Sequence, residues 1–174
     1  FYGCTGLETV ALPDGLTEIA ARAFSGCSKL ASVRLPSTLT SIGEYAFYDC
    51  KALADVVVPE KITTLSRSLF AGCTGLKSVT IPAGVKTIDS GTFNKCSALA
   101  SIELPEGLTT LGSQAFMNCS ALKSVRIPDG VTAIPNETFA YCSVLEMVEL
   151  PSALKTIGNM GFYKNNALRS ISFP

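Results

Sequence analysis

Apolar positions recur along this chain with a period too long for one helix turn or one strand pleat. Phenylalanine stands at Phe1, Phe24, Phe47, Phe70, Phe93, Phe116, Phe139 and Phe162, always 23 residues apart. Leucine keeps the same interval from Leu7 to Leu168, and proline keeps it from Pro13 to Pro174. Within one unit, Val33-Arg34-Leu35 alternates apolar, polar, apolar, the period of a strand with one face buried. Pro36 then ends that strand, because proline has no N–H for a ladder bond. Pro-Asp-Gly at Pro13–Gly15 and Pro128–Gly130, and Pro-Glu-Gly at Pro105–Gly107, read as turns. A second apolar step, Leu39-Thr40-Ser41-Ile42, predicts a brief second strand. The link into the next Phe is too short for a long helix and predicts a single 3₁₀ or α turn.

The pattern predicts a β-rich repeat solenoid with a parallel strand, a short second strand and a short turn in each coil. Its 174 residues hold about seven and a half units without insertion or deletion, so residues 1–174 form one array with no internal domain boundary. One unit buries too little apolar surface to offset the ordering of its own backbone, so stability has to come from stacking coils on one another. At about 4.8 Å per coil the stack would be about 35 Å long.

The repeating unit AFSGCSKLASVRLPSTLTSIG (Ala23–Gly43) and copies such as LFAGCTGLKSVTIPAGVKTID (Leu69–Asp89) resemble the leucine-rich repeat of the BspA-like family of surface proteins. The resemblance covers the whole chain. It implies a right-handed leucine-rich-repeat superhelix with a parallel sheet lining one face, and a role in surface attachment or protein recognition outside the cell. The array leaves its own pattern at Asn165, where Cys is expected, at Gly161 before Phe162, and at Pro135, where four copies have Gly or Ala.

Composition narrows the chemistry. Lys plus Arg equals Asp plus Glu at 14 each, without a basic stripe, so the electrostatic signature of nucleic-acid binding is missing. No apolar run is long enough for a membrane span. The absence of histidine removes Ser-His and Cys-His nucleophile pairs and His-containing metal sites. No cofactor is expected. The seven cysteines, Cys4, Cys27, Cys50, Cys73, Cys96, Cys119 and Cys142, share one place in the repeat, three residues before the constant Leu. They lack the close pairing of a metal site. In-register stacking would hold their Cβ atoms about 5 Å apart, beyond the ~3.8 Å of real disulfides. Reduced, buried thiols that pack as small hydrophobes are expected at all seven positions.

Where the core columns are uniform, information lies in the outward columns of the strands. One runs Ala11, Arg34, Val57, Thr80, Glu103, Arg126, Glu149, Ser172; the other runs Thr9, Ser32, Asp55, Ser78, Ser101, Ser124, Met147, Ser170. Glu103, Arg126 and Glu149 occupy consecutive rungs, which predicts an Arg between two carboxylates. An open sheet offers that trio no enclosure for acid–base work, and no enzymatic role is expected. Met147 replaces a small or polar residue at its position. Arg34, Val57, Glu103, Arg126, Met147 and Glu149 are therefore the candidate partner contacts. On the opposite side Tyr45 and Tyr48 flank Phe47 and read as half-buried packing rather than a carbohydrate platform. Asn136-Glu137-Thr138 and Asn118-Cys119-Ser120 match the glycosylation pattern, the second with a middle residue expected to be buried.

Two classes of function fit these features. One is a recognition or adhesion module of a secreted or cell-surface protein, taking an extracellular protein such as a host matrix or surface protein. The other is a spacer that positions another domain. The array reads as a piece of a longer chain. Its terminal coils, with Phe1, Leu7, Val10 and Leu12 at one end and Phe162, Leu168, Ile171 and Phe173 at the other, are expected to be uncovered and to favour head-to-tail self-association.

Overall fold

In the computed structural model, which describes Phe1–Pro174, the phenylalanine column is a stack of rings running through the molecule. Consecutive rings lie 5.2–5.8 Å apart between centroids and within 16° of parallel. Around this stack 42 buried residues form one continuous core, including the constant Leu of every coil from Leu30 to Leu145. Each coil closes the same circuit, so each residue meets its counterpart 23 positions on, and all strand pairs are parallel in that register.

The first strand series comprises β1 (Thr9–Val10), β3 (Ser32–Val33), β5 (Asp55–Val57), β7 (Ser78–Thr80), β10 (Ser124–Arg126), β12 (Met147–Glu149) and β14 (Ser170–Ser172). The second comprises β2 (Glu18–Ile19), β4 (Ser41–Ile42), β6 (Thr64–Leu65), β8 (Thr87–Ile88), β9 (Thr110–Leu111), β11 (Ala133–Ile134) and β13 (Thr156–Ile157). Neither series is a single sheet. The first divides into β1-β3, β5-β7 and β10-β12-β14, and the second into β2-β4, β6-β8-β9 and β11-β13. The expected strand of every coil is missing at Ser101–Leu104. Ile102 and Leu104 stay buried there, but the four backbone N–H groups donate to no other backbone group. The side chains hold their places while the hydrogen bonds that define a strand are absent.

One break has a plain sequence cause. The residue after the second strand donates its N–H to the preceding coil, as Gly112 does to Ile88 and Gly158 to Ile134. Pro135 has no N–H, so β9 and β11 are not joined. At Ser66 the side-chain hydroxyl, rather than the amide, donates to Ile42.

The third side carries no helix, contrary to the expected 3₁₀ or α turn. Two residues per coil have positive φ, in the columns Arg22, Tyr45, Ser68, Gly91, Gln114, Glu137, Met160 and Gly3, Gly26, Asp49, Gly72, Lys95, Asn118, Tyr141, Lys164. Left-handed residues only four positions apart interrupt any helical run. The reward is intercoil bonding. From Arg22 onward three N–H groups per coil donate to carbonyls of the next coil, as Arg22 to Glu44, Phe24 to Ala46 and Gly26 to Tyr48.

The cysteines complete this side. The six from Cys27 to Cys142 are fully buried and reduced. Each thiol donates to the carbonyl of the Phe one coil earlier, for example Cys73 Sγ to Phe47 O at 3.0 Å and Cys96 Sγ to Phe70 O at 3.2 Å. They are thus donors as well as small hydrophobes. Cys4 departs from the expectation of burial. It is a free, exposed thiol.

Candidate functional site

Strand alternation turns Val33, Val56, Val79, Val125 and Val148 into the core and sends their neighbours outward. The two outward columns therefore lie side by side on the first strand series. Where β5 and β7 pair, Ser78 Oγ donates to Asp55 Oδ1 at 2.5 Å between neighbouring rungs. Where strands do not pair, the surface opens into clefts.

The first cleft, about 500 Å³, lies at the unpaired junction of β3 and β5 and is lined by Arg34, Val57, Ser37, Pro59 and Glu60 among others. It brings together two residues expected from sequence. Val57 leaves 67% of its surface in solvent, an unusual exposure for a valine in a strand. The second, about 420 Å³, lies beside the strand-free segment, lined by Ile81, Ile102, Glu103, Pro105, Glu106 and Arg126. A smaller hollow of about 230 Å³ flanks the same segment against Ser78–Ile81.

Arg126, at the end of β10, sits between two carboxylates, but they are not the expected pair. Its Nη1 meets Glu106 Oε1 at 2.5 Å and its Nε meets Glu149 Oε1 at 3.3 Å. Glu103 lines the same cleft without bonding to it. The reason is geometric: with no ladder between Ser101–Leu104 and β10, the guanidinium reaches diagonally to the Pro-Glu-Gly turn. Glu106 lies 20 residues before Arg126, off the 23-residue register, so reading by columns misses it. The Glu106 charge, with a smaller contribution from Glu149, holds Arg126 more firmly in its cationic form than usual.

Glu149 and Met147 are the two ends of β12, on one outward side, and Met147 is half exposed between Ser124 and Ser170. Five of the six candidates therefore fall into pairs: Arg34 with Val57, Glu103 with Arg126, Arg126 with Glu149. Met147 extends the third. No group of three or more His, Cys, Asp and Glu side chains is placed to hold a metal ion. Of the two glycosylation patterns, the middle Cys119 of the second is buried as expected, and Asn136 of the first already accepts a bond from the Asn159 amide.

With this geometry described, comparison with known proteins gives the class. The chain matches the BspA type leucine rich repeat region in six copies, over residues 1–99 and 68–174, and it belongs to that family. Among solved structures it resembles a leucine rich cell surface protein from Faecalibacterium prausnitzii A2-165, at 27% identity and a TM-score of 0.73, over 99% of this chain and 56% of that one. A leucine-rich repeat protein from Bacteroides ovatus matches at 28% identity and a TM-score of 0.52, over 97% of this chain and 61% of that one. One from Eubacterium ventriosum, 24% identical over 94% of this chain and 44% of that one, has the same fold at a TM-score of 0.80. The chain thus spans about half to three fifths of these relatives' lengths. Comparison with functionally characterised proteins finds no match. No helix is long and apolar enough to cross a membrane.

Proposed function

We propose that this array is the recognition module of a cell-surface or secreted protein, binding an extracellular protein on the split face of the first strand series. The supporting observation is clustering. The outward residues that depart from small polar types gather at the two clefts, where apolar walls are also open, and along β12. Arg34 with Val57 would hold one contact of the partner, and Arg126, Met147 and Glu149 another, with Glu103 and Glu106 setting the charge around it. The surface performs no chemical step; it offers shape, charge and one exposed thioether, the elements of a protein interface. A surface neighbour such as the Faecalibacterium protein accords with an extracellular setting.

The test is surface plasmon resonance of the 174-residue chain against purified matrix and host-surface proteins, with Met147→Ser and Arg126→Ala variants alongside. Saturable binding that falls at least tenfold in either variant is expected. Binding that both variants retain would move the site off this face. No binding to any extracellular protein would favour the spacer role.

A further inference from the structure

On the third side, away from the split sheets, lies a hollow of about 260 Å³ lined by Tyr2, Arg22, Ser25, Tyr45 and Tyr48. Register explains how it forms. Tyr2, Ser25 and Tyr48 share one column, and Arg22 and Tyr45 are neighbours in another. The small Ser25 is the floor between two tyrosines separated by two coils, about 10 Å. An opening of that order admits a single saturated ring.

The polar groups around the hollow are uncommitted. Ser25 is 6% exposed, and its backbone is bonded on both sides, to Arg22 and Gly3, while its hydroxyl has no protein partner. None of the three phenol hydroxyls is hydrogen-bonded to the protein. Arg22 forms no ion pair; its guanidinium lies 5.2 Å from the centroid of the Tyr45 ring, which meets Tyr48 edge to face at 5.9 Å. A cation already held on the aromatic face disfavours a second cation. No carboxylate lines the hollow. Its chemistry calls for a ligand with an apolar ring face, several hydroxyls and one negative charge.

We propose that this hollow binds an acidic pyranose, a uronate-type sugar. Its C–H face lies against the tyrosine rings, its hydroxyls bond to Ser25 and the phenols, and its carboxylate pairs with Arg22. At about 260 Å³ the hollow is below the roughly 300–1,000 Å³ of sites for drug-sized ligands, which suits a single sugar ring. The half-buried packing read from sequence for Tyr45 and Tyr48 holds for the Tyr45 ring, but Tyr48 leaves 38% of its surface in solvent. This site is independent of the sheet-face reading.

The test is NMR titration of the 174-residue chain, labelled on its tyrosine rings, with glucuronate, glucose and acetate. Glucuronate is expected to shift Tyr2, Tyr45 and Tyr48 saturably and to bind at least tenfold more tightly than glucose, with acetate inert. Arg22→Gln should bring glucuronate down to the glucose level. Tyr48→Ala should remove both, and Tyr48→Phe should keep most of the binding because the ring remains. Equal affinity for glucuronate and glucose, an acetate response matching glucuronate, retained selectivity in Arg22→Gln, or shifts confined to Tyr141 and Tyr163 would each overturn the proposal.

Discussion

The two long sides of this solenoid are built from the same 23-residue repeat and bonded in opposite ways. On the turn side, every junction from Arg22 onward has three backbone bonds, and a thiol bond follows wherever Cys is present. On the strand side, pairing is absent between β3 and β5 and on both flanks of Ser101–Leu104. The difference follows what each side has to hold. The turn side packs large rings at fixed spacing, so its left-handed residues keep their places even when the residue is Arg, Tyr or Lys. The strand side points every second side chain at solvent, where only the inward Val, Ile and Leu are constrained. Unbroken hydrogen bonding accompanies the packed rings on one side, and interrupted ladders accompany the variable outward surface on the other.

The largest expected effect comes from breaking the turn side. Phe93→Ala, fully buried between two stacked rings, should cost about 3–5 kcal/mol in denaturant melts. Ser101→Ala, exposed on the unpaired segment, should cost less than about 0.5 kcal/mol. Comparable losses would erase the contrast between the sides.

A separate effect, read by pH rather than by substitution, should appear in alkali. Burial pushes the thiols of Cys73, Cys96 and Cys119 well above the ordinary 9.0, and those of Cys50 and Cys142 to about 12. In the unfolded chain they ionise near the ordinary value. The folded state therefore binds more protons between pH 9 and 12, and stability, complete below that window, falls as pH rises through it. Urea midpoints measured from pH 8 upward should decline above pH 9. A flat profile would mean that the thiols are open to solvent.

The smallest effect sharpens the comparison at one position. Asn165 stands where the pattern has Cys; its Oδ1 accepts the Cys142 amide, and its Nδ2 is buried without a partner. Asn165→Cys removes that unpaired group and supplies a thiol in register with Phe139, and should stabilise by about 1 kcal/mol. A loss would show that the amide bond to Cys142 outweighs the missing thiol contact.

The sequence made the solenoid, its register, the ring stack and the burial of six thiols legible, because each is a column of like residues whose packing repeats. Pro135 stood out as a departure from the pattern, but the break its missing N–H makes in the second strand series was not drawn from it. The break at Ser101–Leu104 carried no such mark: Ile102 and Leu104 are ordinary core residues, and hydrogen bonds between coils do not depend on side-chain type. The site was legible only along columns. Arg126 and Glu149 were paired correctly, whereas Glu106 lay off the register and was overlooked. Burial of Cys4 was expected from its column, and its thiol is exposed instead.

The uneven bonding of the two sides has a mechanical meaning. A rod tied continuously along one edge and slit along the other behaves like the spine and fore-edge of a book: the spine sets the length, and the pages can fan. Curvature can change by widening or closing the slits beside Val57 and Glu103 while the phenylalanine spine keeps its spacing. Tension drawn along the array would be carried by the turn-side bonds, and the slits would gape before any coil came undone.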